Sequence, residues 1–352
     1  MGDVVVRRAY YYCRHCRTGD YPWDQTLGLG TRQLTPTVEE MVALAGVSTS
    51  FAVAQLILDK VGGLTVAEST VERITEDHGA QVAQAQSQGR VFGPEESWPL
   101  PVDNLGKRCG YVGIDGIYVR MQGPKGAAAE SKIEYVGRLY VPPELSADGR
   151  GQQCYVAART LAEATAQLQR HAQRVSGERV TQWLCVTDGG AGLRSRLETG
   201  FCFSTWILDY WHAAEYLKEL AQTLFPDSAE RAAWTSQWCH DLKHEGGTAI
   251  LKRLQNWDLA TLSPASQAAH STVVAYYSNQ LAGMDYPQYL ANGWQIGSGP
   301  TEGTCRVLVA DRLKHSGMRW SLAGSHNVST LRALLLNGES TWNHYWSSRK
   351  IA

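Results

Sequence analysis

Between residues 110 and 208 the apolar pattern alternates between the period of a strand and the period of a helix, in an order that few folds accommodate. Residues 111–121, led in by Gly110, form one strand pattern. Residues 133–141 form a second and 153–158 a third, and hairpin-length connections make the three antiparallel. A helix over 161–175 carries Leu161, Ala164 and Leu168 on one face. Residues 180–186 read as a fully buried strand closing on Thr187-Asp188-Gly189-Gly190. A short helix over 192–199 follows, then a fifth strand over 205–208 that ends in Asp209. The order β-β-β-α-β-α-β implies a mixed α/β sheet, three antiparallel strands continued by two parallel crossovers. It sets Asp115 and Asp188 where the first and fourth strands end, the edge at which open α/β sheets place ligands.

The flanking regions divide by composition. Residues 1–35 are rich in Tyr, Arg and Gly and hold one Cys-x-x-Cys, a partial zinc-ribbon-like segment. Residues 36–90 carry three helical patterns: one through Val38, Met41, Val42, Leu44 and Ala45, and a second through Ala52, Val53, Leu56 and Ile57. The third, capped by Thr65 or Ser69, runs through Val71, Ile74 and His78, with Thr70, Arg73 and Glu76 facing outward. Tight turns between short helices suit a helix-turn-helix that reads DNA, or a plain helical bundle. Residues 91–108, with Gly93, Pro94, Pro99 and Pro101, form a linker, and 109–212 form the first part of the α/β core. A helical insertion over 213–292 begins in a helix over 211–224, followed by helices over 229–242 and 248–257. The core's closing helices occupy 293–352. There Pro300 opens a helix capped by Gly299 or Ser298, with Glu302 in its first turn, and a last apolar helix runs through Leu331, Leu334 and Leu335.

Composition narrows the function. The net charge of −1 excludes a protein that holds polyanions by bulk charge, so any DNA contact must come from local basic stripes. Apart from the first pair, the eight cysteines are scattered through apolar stretches, which reads as reduced thiols in a cytoplasmic protein. No apolar signal core follows Met1. Residues 41–58 lack charge, but Gly46, Ser48, Thr49, Ser50 and Gln55 interrupt them, giving two short helices rather than a membrane span.

Asp115, Asp188 and Glu302 are the strongest chemical constellation. Singly, each has a structural reading as a bulge, a loop acid and a helix N-terminal acid. Together on this strand order they form an oxygen cage for two Mg²⁺ or Mn²⁺ ions, suited to in-line phosphoryl transfer. Asp209 and His212 form an Asp-x-x-His pair after the fifth strand, read either as part of the site or as a helix cap with a core histidine. A zinc site of Asp209, His212 and Cys202 lacks a spaced fourth ligand. Arg306, Arg312, Lys314 and Arg319 stand against Asp311 alone and form a stripe for DNA phosphates. Trp320 beside them either stacks on a base or packs in the core. Cys13 and Cys16 are half of a zinc site, with no second Cys-x-x-Cys to complete it.

Strand order and acids match the ribonuclease-H-like fold. The block Gly-Trp-Gln-Ile-Gly-Ser-Gly-Pro-Thr-Glu at 293–302, with Arg306, Arg312-Leu313-Lys314 and Gly317-Met318-Arg319-Trp320, resembles the closing motif of the ISKra family of insertion-sequence transposases, relatives of Mutator-like DDE enzymes. Gly113-Ile114-Asp115-Gly116, Thr187-Asp188-Gly189-Gly190 and Leu208-Asp209-Tyr210-Trp211-His212-Ala213 resemble that family's other blocks, in the same order, over roughly residues 10–345. The resemblance implies a ribonuclease-H-like catalytic core, Asp115, Asp188 and Glu302 as the acidic triad, and catalytic support from Asp209 and His212. It also implies two Mg²⁺ or Mn²⁺ ions, terminal inverted repeats and target DNA as partners, a homo-oligomer, no membrane and a nucleoid-associated location. Further cysteines before Cys13 would complete a Zn²⁺ site in that family, so the chain reads as shortened or diverged there. The alternatives are a domesticated, inactive remnant that binds DNA and a ribonuclease-H-like nuclease without strand transfer.

Overall fold

The computed structural model describes residues 5, 7–26, 34–93, 95–124, 127–146, 149–177, 179, 181–190, 192–201 and 204–350. A hairpin of Tyr11–Tyr12 (β1) and Gly19–Asp20 (β2) and one helical turn, Trp23–Thr26 (α1), come first. Three helices follow. Pro36–Ser48 (α2) is capped by the Thr35 hydroxyl and Phe51–Lys60 (α3) by the Ser50 hydroxyl; the turn, expected over 46–50, is confined to Thr49 and Ser50, because Gly46 and Ser48 stay within α2. Glu68–Ser87 (α4) starts after Ala67 without a side-chain cap. Neither Thr65 nor Ser69 caps it: the Thr65 hydroxyl donates to Asp59 instead, and Ser69 already lies inside the helix.

The central sheet contains Cys109–Gln122 (β3), Ala128–Val141 (β4), Gln152–Ala158 (β5), Gln182–Thr187 (β6) and Ser204–Leu208 (β7), in the order β5-β4-β3-β6-β7. The β3–β4 and β4–β5 pairs are antiparallel, and β3–β6 and β6–β7 are parallel, as the strand order required. Asp115 does not end its strand, contrary to expectation. β3 runs on as a long ribbon with β4, while its pairing with β6 stops at Val112. Alternation turns Val112 and Ile114 into the cluster shared with Leu161–Ser176 (α5) and Leu193–Gly200 (α6), and gives the other face Gly113 and Asp115.

After the sheet come Tyr210–Leu224 (α7), Ser228–Gln255 (α8), Pro264–Gln280 (α9) and Tyr286–Ala291 (α10). The two helices expected over 229–257 are joined as α8 across a kink at Gly246, whose φ of 83° suits glycine. Gly299–Thr304 (α11) widens into a π-helical stretch, Cys305–Ala310, before Asp311–Leu313 (α12). Leu322–Leu336 (α13) and Glu339–Lys350 (α14) close the chain. Leu331, Leu334, Trp342, Tyr345 and Trp346 from these last helices share one apolar cluster with Val42, Ala54, Val71 and Ile74 of the first helices. The three-helix segment therefore has its core completed by the C-terminus. Among the described residues, no helix is long and apolar enough to cross a membrane.

Candidate active site

Strand register places the acids. The parallel ladder pairs Val112 with Cys185 and Thr187 with Leu208. The same registers, carried on, set Asp115 level with Asp188, and Asp188 level with Asp209. Three carboxylates thus stand in one row past the carboxyl ends of the two parallel pairings. α11 brings Glu302 to the same place. Asp115, Asp188, Asp209, His212 and Glu302 all line one cavity of about 180 Å³, together with Ile114, Thr187, Ser298 and Thr301.

Each side chain is held by local chemistry. Asp115 accepts the Gly116 N–H at 2.6 Å and the buried Cys305 thiol at 3.2 Å. Asp188 accepts the Gly190 N–H at 2.9 Å, closing the Asp-Gly-Gly turn. Asp209 is buried, caps α7 by accepting the Trp211 N–H at 2.7 Å, and accepts the Ser298 hydroxyl on its other oxygen. Ser298 occupies the cap position of α11, but its hydroxyl serves Asp209 rather than that helix. His212 Nδ1 lies 3.3 Å from Glu215, and its ring stands edge-on to Tyr216 and Tyr276. Those two tyrosines stack at 3.7 Å, and the Tyr276 hydroxyl donates to the Asp188 carbonyl at 3.3 Å.

The cavity is electronegative. Among the described residues, no ion pair joins Asp115, Asp188, Asp209 or Glu302 to a lysine, arginine or histidine. The surroundings register that charge. Burial pushes the Cys305 thiol well up, and the carboxylates of Asp115 and Glu302 push it further. The Tyr276 phenol is raised first by burial, then by Tyr216, Asp188 and Asp209. As the side chains stand, no group of three or more His, Cys, Asp or Glu among the described residues is gathered tightly enough to grip a metal ion. The donor set still fits a hard divalent cation in kind: carboxylate oxygens on one cavity, none neutralised by a basic side chain.

The basic stripe expected to meet DNA phosphates is not continuous. Arg312 has 0% exposure: its Nε donates to the Gly46 carbonyl at 2.9 Å, and its guanidinium lies over the rings of Phe51 and Trp320. Its helix stops at Leu313, so Arg312 and Arg319 never share a helical face. Trp320 is also core. Its indole N–H donates to the Leu313 carbonyl, and its backbone extends β3 through Arg120 and Gln122. Arg306, Lys314 and Arg319 are exposed, with Arg306 3.8 Å from Asp311. Arg73 is exposed on α4, whereas Glu76, expected outward, is half-buried against Gly324 and in the field of Arg312.

Cys13 and Cys16 are exposed in the turn of the β1–β2 hairpin, where the Cys13 N–H donates to the Thr18 carbonyl and the Cys16 sulfur lies 2.9 Å from the Thr18 hydroxyl. Cys202, named with Asp209 and His212 for zinc, lies outside the described residues.

Cys305, Ser298 and Thr301 are site residues that sequence reasoning did not single out for chemistry. Ser298 and Thr301 flank Pro300 inside the Gly-Ser-Gly-Pro-Thr-Glu block, and that proximity to Glu302 was the available signal. No family model matches the chain, and no curated protein matches it in sequence.

Proposed function

We propose that the chain is a DDE-type transposase of an insertion sequence, with a ribonuclease-H-like core that cleaves DNA at transposon ends and joins the freed 3′ ends to target DNA. The observation that carries this reading is the convergence of Asp115, Asp188, Asp209, His212 and Glu302, from four separate chain segments, on one cavity at the carboxyl edge of a mixed sheet. The sheet order, with three antiparallel strands continued by two parallel ones, supports the same fold.

In this mechanism Asp115, Asp188 and Glu302 would hold divalent cations. Mg²⁺ or Mn²⁺, when bound, supplies the Lewis acidity that in-line phosphoryl transfer needs. Asp209, tied to Ser298 and to the start of α7, holds the acid row against the helix that carries Glu302. His212 lines the same cavity, with its Nδ1 3.3 Å from Glu215. Exposed Arg306, Lys314, Arg319 and Arg73 contact DNA phosphates, and the enzyme acts as a homo-oligomer on paired ends in the cytoplasm, at the nucleoid.

The test is nicking of a supercoiled plasmid that carries the inverted repeats flanking the gene, with Mg²⁺ or Mn²⁺. Asp115→Asn, Asp188→Asn and Glu302→Gln each lower cleavage by about 10²–10³-fold, the scale of losing one preorganised electrostatic group. DNA affinity stays near the wild-type value. Retained cleavage in all three variants overturns the assignment.

A further inference from the structure

Ten of the chain's twelve tryptophans are buried or half-buried, yet Trp211 is 62% exposed. It stands two residues after Asp209 and one before His212, both of which line the acid cavity. An indole left in water forgoes the gain of burial; of the two exposed tryptophans, Trp23 at 60% and Trp211, it is Trp211 that lies between two residues lining the acid cavity.

The ring is held in place rather than adrift. Its backbone N–H donates to Asp209, and the Tyr210 ring meets it edge-on at 5.2 Å. Gly297 runs alongside: a Cβ there would sit 3.3 Å from Cδ1 and 3.4 Å from Nε1 of the indole. Glycine at 297 therefore lets the segment leading to Ser298 pass close against the ring. Asp209 and Ser298, which flank this arrangement, are hydrogen-bonded to each other, so the ring is indexed to the acid row on both sides. The Lys218 Nζ lies 5.9 Å from the ring centroid, a positive charge next to an open aromatic surface. Among the described residues, the indole N–H makes no hydrogen bond.

We propose that Trp211 is a stacking platform for an unpaired nucleobase adjoining the phosphodiester that enters the acid cavity, with Lys218 contacting a neighbouring phosphate; this rests on the nucleic-acid reading above. A flat aromatic surface beside a cation matches a planar base that carries an anionic linkage. The acids next door repel a free anionic ligand that lacks such a base.

The experiment measures binding of two single-stranded probes, a 20-mer of thymidylate and an abasic 20-mer, to wild type, Trp211→Ala and Trp211→Phe, with Ca²⁺ as the cation. Wild type prefers the base-bearing probe on the order of tenfold, as one stacked base allows. Trp211→Ala erases the preference by weakening the thymidylate probe alone, and Trp211→Phe keeps most of it. Most of the ring is in solvent, so both variants melt close to the wild-type temperature. No preference in wild type, a preference that survives Trp211→Ala, or equal weakening of both probes overturns the proposal. Plasmid nicking by the same preparations separates the two readings. A wild type that nicks nothing, but whose base preference vanishes in Trp211→Ala, fails as a transposase and keeps the platform. A wild type that nicks, with a preference indifferent to Trp211, keeps the catalytic reading and loses the platform.

Discussion

The Ser298 hydroxyl donates to the Oδ2 of Asp209, joining the end of the fifth sheet strand to the helix that carries Glu302 across 89 positions of sequence. A buried carboxylate that loses one donor is left partly unsatisfied. Ser298→Ala is expected to cost about 1–3 kcal/mol of stability. It should also lower plasmid nicking about tenfold, the low end for losing a hydrogen-bond partner that orients a carboxylate of the site. Chemical denaturation and nicking on one preparation check both. A variant that loses stability but nicks normally shows that the bond is structural alone.

Gly113 makes the approach of α11 to the sheet feasible. A Cβ at that position would fall onto the Thr301 hydroxyl, with the Thr301 Cβ 3.0 Å away. Gly113→Ala should therefore push α11 and Glu302 off the acid row and destabilise the fold by about 1–3 kcal/mol, the cost of overpacking. Thr301→Ala alone should be mild, and adding it to Gly113→Ala should restore part of the loss. A double-mutant cycle with no coupling would show that the two positions do not press on each other.

Arg312 and the exposed cations near it should separate cleanly. Arg312→Ala empties a site between Phe51 and Trp320 and is expected to cost about 2–5 kcal/mol. The triple change of Arg306, Lys314 and Arg319 to Ala should alter stability by only about 0.5 kcal/mol per position. It should reduce the salt slope of DNA binding by up to about three, one for each phosphate that a removed cation had neutralised. Thermal melts and salt titrations of affinity read the two effects independently.

Burial, then the charges of Arg174 and Arg170, lower the His171 imidazole to about 4. The folded-state value lies below that of an unfolded histidine, about 6.5, so the unfolded chain takes up the proton first. Stability from this group is full above about pH 6.5 and is lost as pH falls towards 4, at no more than about 1.4 kcal/mol per pH unit for one proton. His171→Leu should flatten that part of the stability profile. An unchanged slope between pH 6.5 and 4 assigns the proton uptake to other groups.

The Thr18 hydroxyl beside Cys16 lowers that exposed thiol to about 7. Alkylation of Cys16, followed by peptide mapping, should show a rate midpoint near pH 7, and Thr18→Ala should move it upward. The same measurement with Zn²⁺ present reads whether the Cys13–Cys16 turn binds metal, since coordination protects the thiolate.

Much of the fold was legible because it depends on short-range pattern. Apolar alternation in β3, the helical face of α5 and the Asp-Gly-Gly break after β6 are local, and they dictated the strand order and hence the mixed sheet. That Asp115 and Asp188 share one edge was legible for the same reason, since strand order determines which strands are neighbours; Ser298 and Thr301, which precede or lie on a helix, were not. Tertiary packing decided what local pattern does not encode. Arg312 has the composition of a surface stripe, but the helix ends one residue later and docking against Gly46 and Phe51 buries it. Ser298 has the signature of a helix cap, but the nearest strong acceptor in space is Asp209, which sequence places far away. The row of Asp115, Asp188 and Asp209 follows from inter-strand register, and register is set by the packing of both sheet faces.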